Sequence, residues 1–309
     1  MKPWLLITTL LFLCLVWGLL AGAPLPADDW RDPDGILWSI RAPRLALGLL
    51  CGGALALSGM TLQSSLRNEL ASPFTLGLSA GAAFFTSLGL IAGAAAATLP
   101  LLAFCGALFA GLLALGAAGR RGSCLRLVLA GAACSFLFGA GIALVQAVAG
   151  PDKAGRLALM MIGRLDCLSW QAPAILGLLL AICTSLLWQR RKHLDQLLCG
   201  EELAGSRGVD VGRERRFCLV LAALLAGTAT ALCGPIGFVC IAGPHLARHF
   251  APPVHQRQIP AAILGGALFL SLCDTLGRSL SPHCEIPAGA ISALAGCPFF
   301  LLLLRRSRE

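Results

Sequence analysis

Eight stretches without a single charged side chain govern what this chain can become. They cover residues 3–27, 45–66, 70–119, 127–151, 167–189, 217–247, 258–273 and 286–304. A helix crosses the hydrocarbon of a bilayer with roughly 17–25 apolar residues, so most of these runs are one span each. The run 70–119 holds two, divided at Pro100, because proline breaks a helix interior. The run 217–247 holds one full span and a short one. A soluble chain carries charge on about a quarter of its residues; here 13% of 309 residues are charged and 57% are hydrophobic. The pattern predicts an all-α polytopic membrane protein with about ten transmembrane helices, forming a single transmembrane domain over 1–309.

The positive charges orient it. With ten spans and both termini inside, the outer side receives Arg31, Arg41, Arg44, Lys153, Arg156, Arg164 and Arg278, and the other Lys and Arg residues, of 24 in all, fall inside. Orientation follows Lys and Arg rather than net charge, so the net charge of +9 reflects topology and attraction to lipid headgroups, not nucleic-acid binding. The first run starts at Lys2 and ends in Ala21-Gly22-Ala23, which imitates a signal-peptidase site. Its apolar core exceeds the about 7–15 residues of a signal peptide, so it reads as a retained first span. Two polar stretches remain: an outer loop over 24–44, rich in Pro and Asp, and an inner loop over 190–216. Within the latter, LDQLLCGEELAG predicts one short amphipathic helix stopped by Gly205 and Gly208.

One apolar run breaks its own backbone. In GPIGFVCIAGPHLARHF, 234–250, Pro235 and Pro244 each lack a donor N–H, while Gly234, Gly237 and Gly243 admit positive φ and close backbone approach. Unpaired backbone groups in lipid cost several kcal/mol each, so non-helical chain survives only inside protein or beside a wet cavity. The segment therefore predicts a broken or short helix at an interior position. Upstream of it ATALCG (229–234) resembles ALALSG (54–59), which also leads into an irregular, Pro-containing stretch, MTLQSSLRNELASPF. The two copies run in opposite senses through the membrane. Paired interruptions in inverted halves are how transport proteins place broken helices around a path.

Catalytic signals are absent. There is no GxxxxGK[ST], HExxH or GxGxxG, and no cofactor site is expected. The 14 cysteines are dispersed through apolar runs without CxxC pairs and read as small packing residues; Cys167 and Cys284 are the one pair placed near the outer face. His245 and His249 lie a turn apart, with no acid or thiol spaced to complete a metal site. Asp274 and Arg278, at i and i+4 near the outer end of a span, must pair or face a cavity. A gradient-driven secondary transporter, the alternative reading, buries ionisable groups mid-membrane as coupling sites. These runs hold none, which favours a transporter that borrows a separate ATPase.

Three long stretches carry a resemblance: 40–84 (IRAPRLALGLLCGGALALSGMTLQSSLRNELASPFTLGLSAGAAF), 234–250, and 273–306 (CDTLGRSLSPHCEIPAGAISALAGCPFFLLLLRR). In content and order they resemble the membrane-spanning permease subunits of ABC importers for ferric siderophores, haem and vitamin B12. The resemblance implies a non-catalytic, multi-pass permease of the bacterial inner membrane, homodimeric, in contact with membrane lipid. Its partners would be a cytosolic ABC ATPase dimer and a periplasmic substrate-binding protein, with no nucleic acid. It implies that Arg41, Arg44 and Arg278 dock the binding protein, whose carboxylates suit the planar guanidinium fork. It implies further that 199–208, through Gly200, Glu201, Ala204 and Gly208 with the adjoining Val209, couples to the ATPase. The break at Gly234, Pro235, Gly237 and Pro244 would lie beside the path. Ferric siderophore leads as substrate, haem and cobalamin following. Arg207 stands where the family usually has Leu, and Glu69 where it often has Pro.

Overall fold

Two helices approach to near-backbone contact only where both present small side chains, and the sequence GLLCGGALALSG supplies such a surface to the first long helix of the core. The computed structural model describes residues 3–20, 35–119, 124–167, 169–280 and 286–306. Its helices are α1 (Pro3–Leu20), α2 (Ala42–Leu66), α3 (Leu78–Ile91), α4 (Leu99–Ala118), α5 (Cys124–Val148), α6 (Pro151–Met161), α7 (Gln171–Gln189), α8 (Arg191–Cys199), α9 (Glu201–Ser206), α10 (Val211–Cys233), α11 (Val239–Phe250), α12 (His255–Leu280) and α13 (Ala288–Arg306). No strand occurs among the described residues.

The chain is an all-helical, multi-pass membrane protein. Among the described residues, six helical stretches are long and apolar enough to cross a bilayer: Leu37–Leu66, Ala96–Ala118, Arg126–Val148, Gln171–Gln189, Val211–Cys233 and His255–Leu280. Two more, 78–91 and 288–298, are apolar but shorter. Length and composition thus support six crossings directly, fewer than the ten that the uncharged runs predict.

Helix α2 is the axis. It packs against α7, α10, α11 and α12, and nearly all of it from Leu45 to Ser65 is buried. Its closest neighbour is α12, where Gly52 and Gly266 meet so tightly that a Cβ on either would overlap the other's carbonyl oxygen. One core cluster gathers α2, α7, α8, α10 and α12 around Leu57, Leu187, Leu225 and Ile259. A second unites α3, α4, α5 and one face of α10 around Leu78, Ala107 and Leu219. The outer surface of α5 is left apolar and open, with Phe136 and Val148 each 80% exposed. In lipid such a surface carries no hydrophobic penalty.

The outer loop expected over 24–44 is shorter than that. Residues 24–34 lie outside the described part of the chain, as do Ala21–Ala23, Cys284 and Glu285, and from Leu37 the chain is already helical, a π-turn (Leu37–Arg41) running straight into α2. Burial of Leu37 and Arg41 and a proline in the first turn of α2 fix that entry. The thiol of Cys167 is free and donates to the Ser169 carbonyl.

Candidate functional site

A cleft of about 580 Å3 opens between two irregular segments, 67–77 and 234–238. Leu70, Ser72, Phe74 and Thr75 line one side; Pro235, Gly237 and Phe238 line the other. The end of α6 (Met161, Ile162) and the start of α13 (Gly289, Ala290) complete the wall. Its surface is apolar apart from the Ser72 and Thr75 hydroxyls, so it offers shape rather than charged ligands.

Burial in a membrane protein demands that both segments find partners for their backbone groups, and the first finds them within itself. After α2, Arg67 turns left-handed at φ 51°, and Asn68 N–H donates to the Gln63 carbonyl at 3.1 Å. Ser72 and Thr75 then cap one another: Ser72 N–H donates to Thr75 Oγ1 (2.9 Å) and Thr75 N–H to Ser72 Oγ (3.1 Å). The second segment and the chain packed around it are pinned from outside. Arg164 N–H donates to the Cys233 carbonyl (2.9 Å), Gly289 N–H to the Gly163 carbonyl (3.0 Å), and Ser292 Oγ–H to the Gly237 carbonyl (3.3 Å). Gly234 sits at φ 75° against the Met160 carbonyl, where a Cβ would overlap that oxygen.

The break is narrower than the sequence implied. Gly234, Pro235 and Gly237 belong to the non-helical stretch 234–238, and Phe238 adopts φ 64°, a left-handed conformation disfavoured for an aromatic residue. Pro244 instead lies inside α11, buried with Gly243, which packs against Ala56 of α2. Six residues into a twelve-residue helix, the missing N–H of Pro244 costs one bond without ending the helix. The two repeat motifs also differ in place. Gly59 lies inside α2, seven residues before its end at Leu66, whereas Gly234 immediately follows α10.

The segment 190–216 is folded. Instead of one helix it forms two, α8 and α9, because Gly200 at φ 134° bends the chain between them. The second helix passes through Gly205 and ends before Gly208, itself at φ 83°. Of the residues expected to couple, Ala204 and Val209 face inward and are buried, their backbones joined by a 3.0 Å bond from Val209 N–H to the Ala204 carbonyl. Glu201 is exposed and pairs with Arg215 at 2.5 Å. Arg207 and Leu203 are exposed.

Beside these helices lies a set of polar residues that, Glu69 apart, sequence reading did not single out. Glu214, 3% exposed, accepts from Arg190 Nη1 and from His193 Nδ1, the latter at 3.0 Å. Asp195 bonds His255 at 2.6 Å. Arg248 pairs with Glu69 at 3.1 Å and donates to Gln63. No motif marks them; the one available signal was the buried-helix context of Glu214 at a span entrance.

At the opposite end Arg41, Arg44 and Arg278 gather around Asp274 and the last turn of α1. Arg44 Nη2 lies 3.0 Å from Asp274 Oδ1, and Arg278 Nε lies 3.2 Å from Asp274 Oδ2. Arg278 Nη2 donates to the Gly18 carbonyl (3.0 Å), and Arg41 Nη1 to the Leu19 carbonyl (2.9 Å). The last carbonyls of a helix have no intrahelical partner, and two of the arginines supply donors to that turn of α1. The three come together, turned inward rather than outward: Arg41 is 6% exposed and Asp274 2%. The pairing of Arg278 with Asp274 matches the i, i+4 reading, while the Arg44–Asp274 bond across 230 residues was not legible in the sequence.

Comparisons with known proteins cover nearly the whole chain. Residues 7–306 match the model of the FecCD transport family. The hemin transport system permease protein HmuU of Yersinia pestis is 36% identical over 284 residues, 88% of this chain and 84% of that protein. The Fe(3+) dicitrate transport system permease protein FecD of Escherichia coli is 34% identical over 286 residues, 91% of this chain and 89% of that protein. Among solved structures, a metal-chelate type ABC transporter in an inward-facing conformation superposes with a TM-score of 0.85 at 29% identity, covering 98% of both chains.

Proposed function

The chain belongs to the FecCD transport family and is a permease subunit of an ABC importer, and from that premise we propose that it forms half of the translocation path for a ferric siderophore or related chelate, haem and cobalamin being the alternatives. One observation carries this reading: the two non-helical segments, from opposite halves of the chain, meet across a single apolar cleft. Non-helical backbone at membrane depth belongs beside a path.

The geometry accommodates ten crossings: α1, α2, α3, α4, α5, α7, α10, α11, α12 and α13. Helix α3 has 14 residues and α11 has 12, so at 1.5 Å per residue they span only about 20 Å of a roughly 30 Å core. The irregular segments preceding them make up the remaining depth. This pairs α2–α3 with α10–α11 as inverted counterparts. The amphipathic α6, α8 and α9 stay at the two membrane surfaces.

In the proposed cycle a second copy of this chain completes the path, an ABC ATPase dimer binds beneath at Gly200–Val209, and a substrate-binding protein docks above at Arg41, Arg44 and Arg278. ATP binding closes the ATPase dimer, α8 and α9 move with it, and the permease pair alternates access. The subunit performs no hydrolysis of its own. Family and charge bias support a place in the bacterial inner membrane, in contact with lipid.

The test is reconstitution of this chain with its ATPase in vesicles. Loaded binding protein should stimulate ATP hydrolysis and drive uptake of the ligand it carries. Uptake by the isolated chain under an ion gradient, without ATPase, would overturn the reading in favour of a secondary transporter.

A further inference from the structure

His255, the first residue of α12, is fully buried and bonded on both ring nitrogens to different helices. Asp195 Oδ1 of α8 accepts from His255 Nδ1 at 2.6 Å and from the His255 backbone N–H at 2.9 Å. A carboxylate only accepts, so the ring proton sits on Nδ1. In the neutral ring Nε2 is then left as an acceptor, and the Ser64 hydroxyl of α2 donates to it at 2.7 Å. Asp195 also places negative charge at the N-terminus of α12, where the helix dipole favours it. The arrangement has the residue types of a hydrolytic triad, but Ser64 is 5% exposed inside a helix, out of reach of a substrate. Its chemistry is attachment.

A second set of bonds starts at the adjacent residue. Gln63, next to Ser64, accepts from Arg248 of α11, and Arg248 pairs at 3.1 Å with Glu69. Glu69 adjoins Leu70, the first residue lining the cleft. Two polar sets, Asp195–His255–Ser64 and Gln63–Arg248–Glu69, thus meet at adjacent residues of α2 and are joined there by its backbone, reaching from the segment beneath the membrane to the rim of the path. We propose that Asp195, His255 and Ser64 are positioning residues that fasten α8 to α2 and α12 and transmit its displacement to residues 68–77, a reading that rests on the coupling role given above to α8 and α9. Apolar contacts alone would let α8 slide over the helix ends; a buried, directional hydrogen-bond set fixes one register. Glu69, where the family often has proline, adds an ionic end to the second set.

The experiment uses the permease–ATPase complex in nanodiscs, with hydrogen exchange followed before and after trapping by ATP and vanadate. In the unaltered complex, trapping should change exchange at both 191–206 and 68–77, by about 5-fold or more at the latter. In His255→Asn, which keeps the donor toward Asp195 but cannot reach Ser64, and in Ser64→Ala, the change at 191–206 should persist while that at 68–77 falls below about 2-fold. Ser64→Thr, which keeps the hydroxyl, should restore it, and Ser64→Ala removes one oxygen only, so the measurement survives should His255→Asn not assemble. An unaltered response at 68–77 in both variants overturns the proposal, as does loss of the response at 191–206 together with 68–77, which would make these residues part of the ATPase seat instead. Absence of any trapping response in the unaltered complex would instead count against the coupling role of 190–216 itself.

Discussion

Gly52 of α2 and Gly266 of α12 stand back to back, each carbonyl oxygen filling the space that a Cβ on the other would need. The pair sets the distance between the two helices that carry Ser64, His255 and the Arg44–Asp274 bond. Replacing Gly52 by Val should therefore cost about 3 kcal/mol or more, since backbone cannot yield as a flexible side chain does. Gly116 of α4, which has open space around it, is the control: Gly116→Ala should be neutral or stabilise by up to about 1 kcal/mol. Thermal unfolding in detergent distinguishes the two.

Asp274 holds two guanidinium groups in a nearly water-free site. Asp274→Asn leaves them facing each other and should destabilise by about 3–5 kcal/mol, as breaking a buried ion pair does. Swapping the charges, Arg44→Asp with Asp274→Arg, should recover part of that stability. If Arg44 also docks the binding protein, the swapped variant should still lose stimulation by loaded binding protein by about 10-fold while basal ATP hydrolysis continues. Recovery of both would assign Arg44 to structure alone.

Glu214→Gln removes the charge that Arg190 and His193 share under α8. Hydrogen bonds to charged groups are worth about 1.5–3 kcal/mol, and the loss is local. The expected result is faster proteolysis within 190–210 and weaker co-purification of the ATPase, with the unfolding temperature of the membrane core little changed.

Gly234→Ala places a Cβ onto the Met160 carbonyl at a left-handed residue. It should part the end of α6 from the 234–238 segment. Transport should fall by about 10-fold or more, because misplacement of about 1 Å at a working site has that effect, while the protein still inserts and binds its ATPase. Transport at the unaltered level would show that this contact does not shape the path.

Much of the architecture was legible before any coordinates. Uncharged runs of spanning length determine a helical membrane protein because bilayer thickness and backbone hydrogen bonding admit little else. Gly234, Pro235 and Gly237 marked a break because their backbone limits act within a residue or two. The family resemblance pointed to the arginines that gather around Asp274 and to the segment that folds as α8 and α9. Where local rules met competition, the reading slipped: Pro244 stayed inside α11, and Gly200 split one expected helix into α8 and α9.

What the sequence could not decide is which polar groups meet. Arg44 and Asp274 are 230 residues apart, Ser64 and His255 are 191 apart, and Asp195 and His255 are 60 apart; nothing periodic links them. The inward turn of Arg41, the sharing of one cleft by 70–75 and 235–238, and the two polar sets between Asp195 and Glu69 arise only when α2 packs against α11 and α12. Hydrophobic pattern is a one-dimensional property, set by each helix against lipid. Hydrogen-bond partnership among buried polar groups is set by where distant helices come to rest, so only the tertiary structure could specify it.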